Sequence, residues 1–299
     1  MPHRERASIT TELQPPFEIR EPLVQTTPLV FCSPHSGRTY PSALLSRSRL
    51  DPLSLRKSED CFVDELFGDA PAAGAPLIVA NFPRAYIDVN REPFELDPEL
   101  FEEPLPEYAN AQTMRVIGGL GTIPRVVAEA EEIYDAPLPL GVAMERIERL
   151  YRPFHDALQH LVERTRQKFG YAVLIDCHSM PSASLAFPAS ARPEFILGDR
   201  FGGSCDFRVT RVVREAIDAL HYHAQLNRPY AGGFITEHYG RPAENVHALQ
   251  IEINRGLYLN ERTLKRSPRF NRLKRDVTEL VDRLIIDIPN ALESRAAAE

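Results

Sequence analysis

The stretch Ala172-Val173-Leu174-Ile175-Asp176-Cys177-His178-Ser179 constrains the chain more than any other. Four aliphatic residues between a helical pattern and a turn read as a buried strand, and strand periodicity puts Asp176 and His178 on one face. A buried strand ending in D-x-H can present an imidazole to a cation while the neighbouring carboxylate orients the ring or coordinates beside it. A hydrogen-bonded strand end has the same local sequence, so the reading depends on what else the chain carries.

At 299 residues the chain could hold two domains, but its alternating strand and helix patterns suit one large α/β domain equally well. Residues 1–27, rich in proline and charge, read as an N-terminal arm or strand-like extension, 28–290 as a single catalytic domain and 291–299 as a polar tail. A net charge of −7 gives no reason to expect nucleic acid or an anionic membrane as partner, so a small anionic substrate would need a local cluster of arginines. No apolar run has membrane-spanning length, and polar sequence follows the first residues, which points to a cytoplasmic protein. Oligomeric state has no sequence signature here. Cys32, Cys61, Cys177 and Cys205 form no C-x-x-C pair and read as small, reduced core residues rather than a zinc knuckle or a disulfide framework.

In chain order, the apolar run 28–32 feeds the turn Ser33-Pro34-His35-Ser36-Gly37-Arg38, so His35, like His178, stands at a strand end. Residues 51–73 carry helical patterning that places Asp60 and Asp64 one turn apart. A strand is expected at 76–80 and another at 85–91, whose alternation puts Asp88 and Asn90 on one face. Residues 92–110 read as an ordered excursion or lid. The glycine-rich turn 118–125 lacks the order of a dinucleotide or P-loop motif, and no nucleotide is assigned. A long amphipathic helix over 141–169 should kink at Pro153. Further strands are expected at 194–199 and 222–227, a helix starting at Asp206, a loop at 229–236, and an amphipathic helix over 269–285. In the alternating strand 247–255, Gln250, Glu252 and Asn254 face one way, and an acid such as Glu252 is costly to bury unless paired or bound.

Open α/β sheets place their sites beyond the strand carboxyl ends, so His35, residues 88–91, 176–178 and 250–255 can converge. Two imidazoles and a carboxylate would leave a fourth position for water on a metal, with a free carboxylate to take its proton and an arginine to hold an anionic group.

The ordered set Ser33-Pro34-His35-Ser36-Gly37, Asp88-x-Asn90-Arg91, Gly119-Leu120-Gly121-x-Ile123-Pro124-Arg125, Asp176-x-His178-Ser179, Gly232-Gly233-x-Ile235-Thr236 and Gln250-Ile251-Glu252-Ile253 resembles the N-formylglutamate amidohydrolase family, over about Val30 to Glu261. The resemblance implies hydrolysis of N-formyl-L-glutamate, a small anionic N-acyl amino acid, to formate and L-glutamate, the last step of one histidine degradation route. It implies a three-layer α/β domain with a mixed, about eight-stranded sheet flanked by helices, distantly like zinc carboxypeptidases and aspartoacylases. It also implies one divalent metal, zinc first, although two nitrogens and an oxygen would also take nickel, cobalt or iron. By the same resemblance His35 and His178 are metal ligands, Glu252 is the general base, and Asn90 and Arg91 bind a substrate carboxylate or carbonyl, Arg91 also stabilising the oxyanion. Arg84 and Arg125 are further candidates for the second substrate carboxylate, or alternatively form salt bridges. The carboxypeptidase pattern H-x-x-E is broken by Arg38, so the acidic ligand must come from elsewhere: Asp60, with Glu59 and Asp64 in reserve. Two other readings stay open, a hydrolase of another N-acyl amino acid or peptide C-terminus, and a non-catalytic metal- or ligand-binding module.

Overall fold

A computed structural model describes residues 2–127, 130–184 and 192–293. Seven strands, β1 (Phe17–Arg20), β2 (Leu29–Ser33), β3 (Leu77–Ala80), β4 (Ala172–Met180), β5 (Phe195–Gly198), β6 (Ala224–Leu226) and β7 (Val246–Asn254), form a mixed sheet in the order β1-β3-β2-β4-β7-β5-β6. β2, β4 and β7 run parallel, whereas β5 pairs antiparallel with β7. Parallel neighbours at the centre of a sheet are buried on both faces, which is why β2, β4 and β7 are buried at every residue. Their apolar parts fill the core; their polar carboxyl ends carry Asp176, His178, Gln250 and Glu252. A ribbon of β8 (Leu259–Asn260) and β9 (Lys265–Arg266) completes the strands.

The helices are α1 (Pro2–Glu12), α2 (Ser42–Leu45), α3 (Pro52–Leu55), α4 (Val63–Leu66), α5 (Met114–Ile117), α6 (Leu140–Arg146), α7 (Arg152–Phe169), α8 (Phe207–Ala219), α9 (Phe234–Tyr239) and α10 (Phe270–Glu293). α8 packs on α10, each burying a stripe at helical spacing: Val209, Val213 and Ile217 on one, Leu273, Val277 and Leu284 on the other. No described helix is long and apolar enough to cross a membrane.

Contacts divide the chain into two compact units, Met1–Glu18 with Pro34–Glu59 and Val79–Ala157, and Ile19–Ser33 with Asp60–Ile78 and Leu158–Glu299. The second unit holds the centre of the sheet with α8, α9 and α10. The first is organised around a buried ion pair: Arg146 on α6 donates from Nε to Glu5 Oε1 on α1 at 2.7 Å, and both side chains are fully buried. Tyr86 OH donates to the same carboxylate at 2.5 Å, Arg47 to its other oxygen at 3.3 Å, and the Arg146 guanidinium lies 3.9 Å over the Tyr86 ring. Residues 1–27 thus contain α1, anchored by Glu5, Ile9 and Leu13, followed by the short strand β1.

Three expected elements differ. Residues 51–73 are not one helix: α3 passes into a 3₁₀ turn at Arg56–Ser58, Phe62 takes a left-handed φ of 64°, and α4 starts at Val63. Asp60 therefore lies in a turn, not on a helix face shared with Asp64. Residues 85–91 form no strand; the segment opens in a turn, with Tyr86 N–H donating to Pro83 O at 2.9 Å, is tied to a distant segment by Asp88 N–H donating to Thr122 O at 2.8 Å, and is buried at every residue rather than alternately. The end of the expected loop at 229–236 winds into α9. Ahead of Pro153, where a kink is expected, a π turn at Ile147–Tyr151 joins α6 to α7, a widened turn that accommodates a proline ring where an α-turn would clash with it.

All four cysteines are free and buried. Burial, with Asp176 nearby, pushes the Cys32 and Cys177 thiols well above their usual range. They are core residues, as read from the sequence.

Candidate active site

The parallel register sets Asp176 of β4 beside Gln250 of β7 and His178 beside Glu252, so these four side chains share one face at the strand carboxyl ends. β2 ends at Ser33, and the chain turns through Pro34 to His35. That turn needs Gly37, where a Cβ would lie 2.0 Å from the Phe82 carbonyl oxygen. One ligand atom each from His35, Asp60 and His178 lie within 4.8 Å of one another, and all three residues are buried.

Both imidazoles are backed by a buried carboxylate. His35 Nε2 hydrogen-bonds Asp88 Oδ1 at 2.7 Å, so the ring nitrogen left to meet a cation is Nδ1. Asp88 also accepts from the Asn90 N–H at 2.9 Å and from Arg84 Nε at 2.9 Å, with Arg91 Nη2 at 3.5 Å. Burial would raise this carboxyl's pKa, but Arg91, His35 and Arg84 together hold it well below the usual carboxylate range. His178 sits between two acids: Nδ1 is 2.9 Å from Asp60 Oδ2, and Nε2 is 2.9 Å from Asp176 Oδ1, the latter at ion-pair distance without hydrogen-bond alignment. Burial opposes a charge on the ring, yet Asp176 and Asp60 outweigh it and raise the imidazole well above its ordinary pKa. The electrostatics that favour a protonated ring also favour a divalent cation in place of the proton.

Asp60 is oriented by its other oxygen. Oδ1 accepts from Arg255 Nη2 at 3.0 Å and from the Ser179 hydroxyl at 3.2 Å, and Arg255 Nε donates to the same hydroxyl at 3.1 Å. The two reserve acids are engaged elsewhere: Glu59 takes Arg56 Nε at 3.0 Å and Tyr40 OH at 2.7 Å, and Asp64 lies 3.6 Å from Arg20. A buried set of two nitrogens and one oxygen, each histidine held from behind by a carboxylate, fits a divalent cation.

The arginines separate. Arg91 is buried, donating from Nε to Leu120 O at 2.9 Å and from Nη1 to Asn90 O at 2.8 Å. Burial pushes its pKa down to about 10, so it stays cationic at neutral pH. Arg84 joins it at Asp88. Arg125 is held instead by Asp97 at 2.7 Å, Glu99 at 3.2 Å and Glu132 at 3.4 Å. Glu252 accepts from Gln250 Nε2 at 2.9 Å.

Sequence reasoning missed the supporting roles of Asp88, Arg255 and Gln250. Asp88 lies 53 positions from His35, and no spacing pairs them. Arg255 closes the alternating strand, where a cation is commonplace; only the buried acid at 60 gives it a purpose.

Comparison with known proteins gives one answer. The family model for N-formylglutamate amidohydrolase matches residues 27–259. The chain is 32% identical to an N-formylglutamate deformylase of Pseudomonas putida over 237 residues, 78% of this chain and 82% of that one. It is 27% identical to one from Pseudomonas aeruginosa over the same length, covering 78% and 83%. The crystal structure of N-formylglutamate amidohydrolase from Ralstonia eutropha JMP134 superposes with a TM-score of 0.85 at 37% identity, over 94% of this chain and 99% of that one.

Proposed function

The chain belongs to the N-formylglutamate amidohydrolase family, and from that premise we propose that it hydrolyses the formamide of N-formyl-L-glutamate to formate and L-glutamate, with His35, Asp60 and His178 holding one divalent cation. The observation that carries the reading is the buried grouping of those three side chains, with Glu252 in register beside His178. When bound, the cation, zinc for this donor set, supplies Lewis acidity that acidifies water and polarises the formyl carbonyl.

The remaining work falls to the chain. Glu252 takes the proton of the attacking water and returns it to the leaving amine, a transfer worth about 10²- to 10⁴-fold. Arg91, fixed by two carbonyls, faces the substrate with Asn90, holding a carboxylate and stabilising the oxyanion as it forms. Arg84, anchored to Asp88 through Nε, is our choice for the second carboxylate; Arg125, already neutralised by three acids, is a weaker one. Asp88, Asp176 and Arg255 keep the three ligands in place.

Formate release from N-formyl-L-glutamate, measured with metal content by elemental mass spectrometry, tests the reading. Glu252→Gln should lower kcat by about 10²-fold or more with metal content unchanged. Loss of the metal in that variant makes Glu252 a ligand and removes it as base. Equal rates on N-formyl amino acids with and without a side-chain carboxylate reject the glutamyl substrate.

A further inference from the structure

The segment Gly232-Gly233-x-Ile235-Thr236 has no role in the chemistry above, yet it is built against the residues that do. Gly233 caps α9, and its backbone N–H donates to Gln250 Oε1 at 2.8 Å. A backbone N–H can only donate, so the Gln250 carboxamide must turn its oxygen toward Gly233 and its NH₂ toward Glu252, where Nε2 donates to Oε1 at 2.9 Å. Gln250 and Glu252 are both buried.

The approach of this loop is prepared by a third strand. Gly198, at the end of β5, is the register partner of Gln250, and a Cβ there would stand 2.5 Å from Gly232 N and 2.7 Å from the Ala231 carbonyl carbon. Only glycine at 198 lets the loop lie against the sheet at this point. Gly232 itself has φ +110°, a conformation that side chains rarely adopt. From the same short helix, the buried Thr236 hydroxyl donates to Asp176 Oδ2 at 3.3 Å, and Asp176 stands against His178.

We propose that Gln250 is a positioning residue for the general base: it converts the fixed place of the Gly232-Gly233 loop into a fixed place for the Glu252 carboxylate. A free glutamate side chain samples several rotamers, and a displacement of about 1 Å at a reacting group costs on the order of 10²-fold in rate. The assignment rests on the proposed hydrolysis with Glu252 as base, and it adds a function for the loop motif and for Gly198.

The test separates loop-pinning from base-holding. Gln250→Glu retains an acceptor for the Gly233 N–H and deletes the donor to Glu252; Gln250→Met deletes both. kcat and KM for formate release, metal content and melting temperature are measured for each, beside the unaltered protein and Glu252→Gln. The expected result is a fall in kcat of about tenfold or more in both Gln250 variants, with KM within about twofold and metal content unchanged. Gly198→Ala, which touches neither side chain and must displace the loop, should lower kcat in the same manner and keeps the idea testable if a Gln250 variant fails to fold. Wild-type kcat in Gln250→Glu overturns the proposal, since the loop would then need only an acceptor. A fall that appears wholly in KM, or with loss of metal, overturns it too. If the unaltered protein releases no formate, or Glu252→Gln is fully active, the underlying reading has failed instead.

Discussion

Asp88 shows how much a single buried acid is asked to do. It receives a ring nitrogen of His35, a backbone N–H and two guanidinium groups, and it survives burial as an anion because those partners outweigh desolvation. Its first duty is to His35. Asp88→Asn should weaken metal binding about 10- to 100-fold, read by competition with a chromophoric chelator, while leaving metal-free secondary structure intact. Affinity equal to that of the unaltered protein would show that the ring is held by something else. His35 and His178 were legible in the sequence because each follows an apolar run that ends abruptly. Asp60 was chosen from a helical pattern, whereas its place comes from a turn after a left-handed residue and from Arg255, almost two hundred positions away. Sequence spacing carries no information about a contact at that separation.

At the scale of elements, the helix expected to start at Asp206 is α8, which begins at Phe207 with Asp206 as its N-cap. Asp206 accepts the Arg208 N–H at 2.9 Å as helix cap and pairs with the Arg208 side chain at 2.8 Å. The Arg208 hydrogen bond outweighs burial and draws its carboxyl down to about 2. Asp206→Ala should cost about 1 kcal/mol at neutral pH, measured by chemical denaturation. Because the folded pKa is depressed, that contribution is complete above the ordinary carboxyl value near 4 and is lost as pH falls through about 2. The difference between the two proteins should therefore shrink over that interval; a constant difference would assign the effect to packing. The central strands were readable for a related reason: apolar runs and alternation are local signals. The segment 85–91 was misread because its apolar and polar residues alternate along the sequence as a strand's do, whereas in the fold all seven are buried and none pairs in a ladder.

For the molecule as a whole, the division into two units left no mark on composition, because each unit is assembled from three separate stretches of chain. What shows instead is a long-range pair. Glu5 and Arg146 are fully buried and 141 residues apart. Arg146→Met should destabilise the fold by about 3–5 kcal/mol by stranding the Glu5 charge, and adding Glu5→Leu should restore much of the loss. Urea midpoints of the single and double variants decide this; an equally unstable double variant would refute the stranded-charge account. Metal acts on stability by mass action: a cation at about 100 times its dissociation constant adds about 2.7 kcal/mol, so a chelator should lower the melting temperature of the loaded protein and excess zinc restore it. The burial of all four thiols gives the fold its own optical clock. A reagent that colours on reaction with a thiol should find none in the native chain and four once it opens, so that the rate of colour development at rising urea counts openings of the molecule without any added label.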